Sequence, residues 1–214
     1  MKLLQKEFRL CMHPTTLLFL ALSAMLIIPN YPYYVTFFYT TLGIFFVCLT
    51  GRENNDIEYS MMLPVRKRSI VWARMMFCVL TELAQVILAV PFAILRGTFP
   101  MGGNNVGMDA NTAFFGIALL MLGVFNLLFF TRYYRSPDKV GKTFAVSSVV
   151  FFVLIAAAEA ADHIWPFMRD VLDTPDPANM GAKLIVLGAG AAAFALLTLC
   201  AYRVSAKRFE KLDI

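Results

Sequence analysis

Residues with the types and spacing needed for catalysis or metal binding are scarce in this chain of 214 residues. It has only two histidines, His13 and His163, and its four cysteines show neither disulfide-like nor metal-like spacing. The phosphate-binding pattern G-x-x-x-x-G-K-[ST] and the zinc pattern H-E-x-x-H do not occur. The sequence therefore gives no support for an ATPase, a hydrolase or a metalloenzyme. The cysteines are expected to be small buried hydrophobic residues: Cys11, Cys48, Cys78 and Cys200.

The informative polar residues are those embedded in long apolar runs. Glu82 lies near the middle of one run, on a predicted helical face shared with Gln85. A carboxylate at the bilayer centre costs roughly 2–3 kcal/mol even on insertion scales, so Glu82 should face protein or water. It either lines a substrate pathway or holds helices together by a hydrogen bond. A pathway would be lined by Glu82, Gln85, Asn126 and Glu159, although Asn126 also suits an interhelical hydrogen bond and Glu159 a solvated rim position.

Composition identifies the elements that must position these residues. Hydrophobic residues make up 59% of the chain and charged residues only 15%, with twenty Phe and twelve Met, far from the composition of a soluble domain. We predict an all-α integral membrane protein, a single transmembrane domain over residues 1–214. Six spans are expected at about 14–28, 33–50, 69–95, 112–131, 144–161 and 182–202, of which the first is short for the ~20 residues that a bilayer requires.

The first twelve residues are predicted to form an amphipathic helix along the membrane interface. On a helix, Leu4, Phe8 and Cys11 share a face, and Glu7 interrupts that face. A cleaved signal peptide is the alternative, but five further apolar segments follow. Between the first two spans, prolines predict a tight outer turn, with three tyrosines as interface anchors: Tyr31, Tyr33 and Tyr34.

The basic residues predict the orientation. Sixteen of the nineteen Lys and Arg residues flank the predicted spans on the side that also carries both termini. Only Arg96, Arg169 and Lys183 fall on the other side. The positive-inside rule then places both termini and the loop at 51–68 in the cytoplasm. The net charge of +5 therefore reflects topology and does not indicate nucleic-acid binding.

The longest polar interruption, Arg52–Arg74, reads RENNDIEYSMMLPVRKRSIVWAR. Its acids and amides predict a short helix near 55–62, because Asn54, Asn55 or Asp56 can each cap a helix N-terminus. Pro64 should end that helix, since proline biases the preceding residue away from helical geometry. We interpret this helix as a docking element, too short to span a membrane.

Small residues at four-residue spacing recur in the last two predicted spans. Ala156 and Ala160 form one pair, and Gly188 and Ala192 form another. Such spacing lets helix backbones approach closely, either within the chain or between two copies.

The pattern N-N-D-I-E-Y-x3-L-P-V-R-K-R-S-I-V-x2-R, together with the basic tail A-K-R-F-E-K-L-D-I, resembles the type-two exporter group of bacterial ABC-transporter permeases. It is similar in particular to the six-helix permeases of phenol-soluble-modulin and antimicrobial-peptide exporters. The resemblance implies a coupling helix seated in an ATPase groove and a second inner contact in the loop after the fourth span. The implied contact residues are Asn54, Asn55, Asp56, Ile57, Glu58, Tyr59, Met61, Met62, Leu63, Pro64, Arg135 and Asp138.

The resemblance also implies partners and cofactors. Two copies of a separate ABC ATPase would carry ATP and Mg²⁺, so this chain itself needs no cofactor. A second permease copy, identical or paralogous, would complete the pathway in a bacterial cytoplasmic membrane. An amphipathic peptide is the expected substrate, a lipid-like drug or antibiotic is the alternative, and Tyr59 and Met61 are the expected anchors in the ATPase groove. A membrane scaffold that recruits a cytosolic partner is the competing interpretation.

Overall fold

The computed structural model describes residues 2–99 and 103–212, and within them it contains helices and loops but no β-strand. The first helix, Lys2–Lys6, continues into a π-helical turn, Glu7–Cys11, and the second, Pro14–Ala21, continues into a 3₁₀ segment, Leu22–Ile27. The α-helices of the described part are α1 (Lys2–Lys6), α2 (Pro14–Ala21), α3 (Val35–Glu53), α4 (Asp56–Met62), α5 (Lys67–Thr98), α6 (Thr112–Tyr133), α7 (Val140–Ile164) and α8 (Met180–Glu210).

Five helices, α3, α5, α6, α7 and α8, are long and apolar enough to cross a membrane. The predicted first span falls on Pro14–Ile27, which meets the preceding Leu3–Cys11 at an angle of 84°. The rise per residue of an α-helix and of a 3₁₀-helix gives Pro14–Ile27 a length of about 24 Å. This is less than the ~30 Å thickness of a bilayer core. The described residues therefore contain five or six candidate spans. Most of the others extend beyond their predicted limits, and α8 continues to Glu210.

Helices α6 and α8 pack together through glycine. A Cβ atom at Gly190 would lie 1.9 Å from the carbonyl oxygen of Gly116, so only glycine permits this approach. The predicted pair Gly188 and Ala192 is exposed instead, and Gly188 has open space beside it. The close contact between α6 and α8 therefore uses Gly190, two residues after Gly188.

Aromatic side chains fill the core between α3, α6 and α7. The rings of Tyr34 and Phe114 lie 4.6 Å apart between centroids, and those of Phe45 and Phe144 lie 4.4 Å apart. Tyr33 and Tyr34 are completely buried. The prediction that both anchor the membrane interface was wrong, because their hydroxyl groups find partners inside the protein: Arg96 donates to Tyr33, and Tyr34 donates to the sulfur of Met108.

Both ends of the described chain meet at one end of the bundle. Lys67 Nζ donates to the carbonyl oxygen of Leu212 at 2.6 Å, and Arg68 pairs with Glu210. Lys6 contacts the first residue of α4 nearby in the fold. We call this end, which carries α1, α4, the start of α5 and the end of α8, the basic end. The loop at 103–111, which we call the outer loop, and the segment at 165–179 lie at the opposite end.

Candidate functional site

Helix α4 forms at Asp56–Met62, within the stretch predicted to be helical, but its start differs from the prediction. Asn55 adopts a left-handed conformation with φ 51°, and no side chain caps the helix. The turn is thus made by the backbone of an asparagine, a residue type that tolerates this conformation. At the other end, Leu63 is extended before Pro64, as expected.

Four charged residues join α4 to α1 and α5, and we call them the ion-pair cluster: Lys6, Glu7, Asp56 and Arg74. The guanidinium of Arg74 donates to both Glu7 and Asp56, and Lys6 Nζ donates to Asp56 Oδ1 and Ser60 Oγ, each at 2.6 Å. The side chains of Arg74 and Glu7 are only 4% and 2% exposed. Two bases balance two acids, so the cluster is neutral and holds three helices together.

The electrostatics of the ion-pair cluster favour a structural joint over a metal site. Burial alone would raise the pKa of Asp56, but Arg74 and Lys6 outweigh it and hold that pKa below its ordinary value. Ligand atoms of Glu7, Cys11 and Asp56 lie within 4.8 Å of one another, which is a spacing that could hold a metal ion. Both carboxylates are already paired with cations, however, so a metal ion would have to displace Arg74 and Lys6.

The opposite face of α4 is open. Tyr59 is 57% exposed and Met62 is 82% exposed, and the neighbouring Glu58 is exposed as well. Ile57 and Met61 are partly buried against the core. Tyr59 and Met61 are the two anchors expected from the sequence, and only Tyr59 lies on the open face. The second large apolar side chain on that face is Met62 and not Met61.

The second inner contact predicted from the sequence lies beside the end of α3. Arg135 and Asp138 are exposed, and Asp138 belongs to a 3₁₀ turn, Pro137–Lys139, that precedes α7. Arg52 Nη1 at the end of α3 donates to the carbonyl oxygen of Asp138 at 3.2 Å. The loop that leads into α4 and the loop before α7 are therefore neighbours at the basic end.

Three of the four predicted pathway residues lie together among the long helices, and we call them the buried polar cluster: Glu82, Gln85 and Asn126. All three are fully buried. Asn126 Nδ2 donates to Glu82 Oε2 at 2.8 Å and to Thr198 Oγ1 at 3.2 Å. Gln85 Nε2 donates to Ser23 Oγ at 2.9 Å. These bonds connect α5 with α6, α8 and the 3₁₀ segment after α2.

Glu159, the fourth predicted pathway residue, lies apart from them, at the outer end of α7. Its Oε2 accepts a hydrogen bond from the backbone N–H of Met108 at 3.1 Å. A Cβ atom at Gly107 would lie 1.2 Å from that oxygen, so a glycine is needed for the carboxylate to reach the outer loop. Asp173 similarly accepts from the N–H of Asp109 at 2.6 Å. Glu159 and Asp173 therefore both stabilise the outer loop by accepting hydrogen bonds from its backbone.

Comparison with known proteins identifies the chain at the level of its family. A family model described as an ABC-2 family transporter protein matches residues 2–210. The chain belongs to the ABC-2 transporter family. No curated protein and no solved structure matches it significantly. It is therefore a multi-pass membrane permease component and not an ATPase, and membership of the family implies an ABC ATPase as its partner.

The sequence of this ABC-2 permease contains two signals of the ion-pair cluster. Glu7 interrupts the apolar face of the predicted interfacial helix, and Arg74 lies inside an apolar run. Each is a charged residue at a position where the pattern requires an apolar one, and the two form a pair in the structure. Thr198, which connects the buried polar cluster to α8, gave no such signal, because threonine is common in membrane helices.

Proposed function

We propose that this ABC-2 permease exports an amphipathic peptide from the cytoplasm or the inner leaflet, driven by two copies of a separate ATPase that binds ATP and Mg²⁺. A second permease copy, identical or paralogous, would complete the pathway. The protein would lie in a bacterial cytoplasmic membrane with both termini and the basic end in the cytoplasm.

The observation that carries this proposal is the two-sided construction of α4. Its inner side is fixed to α1 and α5 through Asp56, Lys6 and Arg74. Its outer side presents Tyr59 and Met62 to solvent with no covering element in the described structure. Large exposed apolar side chains next to acids suit a docking helix whose anchors fill a groove and whose charges lie on the rim.

Movement would reach the spans through the ion-pair cluster. ATP binding would close the two ATPases and carry the two α4 helices with them. Because Asp56 of α4 is paired with Arg74 of α5, a displacement of α4 would move a 32-residue membrane helix with it. Alternation between an inward-open and an outward-open arrangement would follow from this rigid coupling.

The experiment is co-purification of the ATPase with the double variant Tyr59→Ala/Met62→Ala. Buried anchors at an interface contribute about 2 kcal/mol or more each, so ATPase binding should weaken at least thirty-fold or so. The matched control is Ile164→Ala/Trp165→Ala, which removes similar side chains at the opposite end, where they are 79% and 59% exposed. The control should retain the ATPase and its hydrolysis.

Retention of both the ATPase and transport by the first variant would contradict the docking role of α4. Recovery of a different cytosolic protein with the wild-type chain, and no ATPase, would favour a membrane scaffold. Export of a lipid-like drug in place of a peptide would leave the docking role intact and change only the substrate.

The proposed orientation has its own test. Cysteines introduced at Glu58 and Asp138, both exposed at the basic end, should resist a membrane-impermeant thiol reagent in intact cells. A cysteine at Asn105, exposed in the outer loop, should react. Permeabilised cells that lack the ATPase serve as the control, because all three positions should then react. Labelling at Glu58 from outside would reverse the orientation.

A further inference from the structure

The outer end of the protein carries more acids than bases. Residues 96–111 and 159–183 contain six Asp or Glu residues but only three Lys or Arg residues. The three bases have partners of their own: Arg96 donates to Tyr33, Arg169 pairs with Asp170, and Lys183 pairs with Asp176. The other four acids lie together, and we call them the outer acid cluster: Asp109, Glu159, Asp162 and Asp173.

The charges of the outer acid cluster are of one sign. The carboxylate of Asp173 interacts electrostatically with the three other carboxylates, and that of Asp162 interacts with Asp109 as well. Like charges that lie close together and partly out of water repel one another. A positive charge placed among them would therefore be stabilising.

Two oxygen atoms of the outer acid cluster are buried and have no hydrogen-bond partner: Glu159 Oε1 and Asp162 Oδ1. Asp162 is only 4% exposed, so bulk water does not compensate for the missing partner. Glu159 and Asp162 are three positions apart on α7, and side chains at this spacing lie on one face of a helix. Their carboxylates also interact electrostatically. The two unpartnered oxygens therefore belong to one place in the fold, and each requires a donor or a cation.

The chemistry of these two oxygens favours a metal cation over a neutral donor. A hydroxyl or amide group would complete the hydrogen bonds but would leave the negative charges uncompensated. Carboxylate oxygens are preferred ligands of Ca²⁺ and Mg²⁺, and Mg²⁺ is often held by one or two carboxylates together with water. Residues 96–111 and 159–183 contain no cysteine, and Nε2 of His163 lies 3.3 Å from the carbonyl oxygen of Val106. A ligand set of oxygen atoms favours these hard cations over Zn²⁺.

We propose that Glu159 and Asp162 bind a hard divalent cation, Ca²⁺ or Mg²⁺, and that this cation strengthens the attachment of the outer loop to α7. Water and backbone carbonyl groups of the outer loop complete the coordination, as is usual for both ions. Asp109 and Asp173 accept hydrogen bonds from backbone N–H groups of the loop and add negative charge around the cation. Binding is independent of the proposed export function.

Glu159 couples the cation to the outer loop. Its Oε2 accepts from the N–H of Met108, and its carboxylate lies directly against the backbone of Gly107. A cation at Oε1 holds this carboxylate in place and therefore holds the loop as well. Because Oε1 and Asp162 Oδ1 are both covered, the loop must lift before the cation enters or leaves. Occupancy of the site and exposure of the loop should change together.

The test is equilibrium dialysis of the purified full chain, without the ATPase, in nanodiscs of the neutral lipid phosphatidylcholine. The chain is dialysed against Ca²⁺ and, separately, against Mg²⁺ at neutral pH, and empty nanodiscs give the background. Bound metal is measured by atomic spectroscopy. We expect a single saturable equivalent per chain for at least one of the two cations, with a dissociation constant of about 0.1–1 mM, the range of Ca²⁺ sites in extracellular modules.

Variants assign the cation to the site. Glu159→Gln and Asp162→Asn each remove one charged ligand and should weaken binding at least about tenfold, as expected for the loss of an interaction with a charged group. Asp170→Asn is the matched control, because Asp170 is exposed at the same end and is paired with Arg169. Its affinity for the cation should equal that of the wild type.

The outer loop gives a second measurement. A cysteine at Asn105, exposed in the loop, should react more slowly with a thiol reagent in the presence of the cation than in NaCl of equal ionic strength. This difference should vanish in Asp162→Asn. A cysteine at Glu58, exposed at the basic end, controls for direct effects of the cation on the reagent.

A lack of saturable binding by both cations above empty nanodiscs would overturn the proposal. Unchanged binding in a folded Glu159→Gln/Asp162→Asn double variant would also overturn it, as would equal slowing of the Asn105 cysteine by NaCl, which indicates ionic screening. If the double variant proves unfolded, the wild type decides: the cation should raise its melting temperature above that in NaCl of equal ionic strength, and no rise would contradict the proposal. The loss of ATPase binding in the α4 variants would not affect any of these outcomes.

Discussion

The ion-pair cluster and the buried polar cluster are both sets of buried polar side chains between helices, yet they differ in how well those side chains are satisfied. In the ion-pair cluster each charged group contacts one of opposite charge, and the four charges cancel. In the buried polar cluster three oxygen atoms lack partners, and Glu82 has no basic partner in the described structure. The first cluster is complete, and the second is not.

This difference separates two roles. A fully satisfied network is rigid and costly to disrupt, which suits an element that transmits movement. A network that leaves buried acceptors unpartnered carries a desolvation cost and is cheaper to disrupt, which suits helices that change their packing. Both clusters include residues of α5, so one helix connects the joint at the basic end to the buried polar cluster.

The largest effect is expected at the centre of the ion-pair cluster. Arg74→Met leaves the buried Glu7 and the partly buried Asp56 with Lys6 as their remaining cation in the cluster, and breaking a buried pair typically costs about 3–5 kcal/mol. The melting temperature of the solubilised protein should therefore fall sharply. Arg68→Met, which breaks an exposed pair with Glu210, should leave it nearly unchanged. If both variants melt at similar temperatures, the buried pairs of Arg74 contribute no more to stability than the exposed pair of Arg68.

A smaller effect is expected in the buried polar cluster. Asn126→Leu removes the donor to Glu82 and Thr198 and should cost about 1–3 kcal/mol, because it leaves further buried acceptors unpartnered. Glu82→Met removes two of the acceptors and should cost less than Asn126→Leu. The same thermal measurement ranks the two variants. The reverse order would show that Glu82 is a main structural bond and that the cluster is not short of donors.

The smallest effect concerns the outer loop and its dependence on pH. Burial raises the pKa of Asp173 to about 7, and the nearby carboxylates of Asp162 and Glu159 add to that rise. The docked loop therefore binds this proton more tightly than a free aspartate of pKa ~4, so docking should weaken as pH rises from about 4 to about 7.

Thiol reactivity of a cysteine at Asn105 measures this change when it is corrected for the thiolate fraction of a free thiol at each pH. Corrected reactivity should rise across the interval in the wild-type background and change less in Asp173→Asn, which keeps an acceptor for the N–H of Asp109. An identical pH profile in both backgrounds would show that Asp173 does not cause the pH dependence of loop docking.

Local patterns were sufficient to predict the long helices and the place of α4. Apolar runs predict α3 and α5–α8, and a group of acids and amides before Pro64 predicts a short helix, because these signals depend on neighbouring residues. Glu7 and Arg74 are 67 positions apart, and nothing local shows that they pair. For the same reason the pattern of small residues indicated Gly188, whereas the position of α6 requires Gly190.

Tyr59 illustrates the same limit at the site. The sequence placed it on a docking helix, but only the packing of Met61 against the core shows that Met62 is its neighbour on the open face. Which side of a seven-residue helix is buried depends on the elements that pack against it. For α4 these are α1 and α5, which come from other parts of the chain.

If α4 moves α5 through the ion-pair cluster, a single distance within the complex should change with ATP. Spin labels at Ile87 of α5 and Val153 of α7, both exposed, report the distance between these helices in the complex with the ATPase. Trapping ATP should shift this distance in wild type and in Glu58→Gln, an exposed change on α4. The shift should be largely lost in Asp56→Asn while the ATPase remains bound. An undiminished shift in Asp56→Asn would contradict the claim.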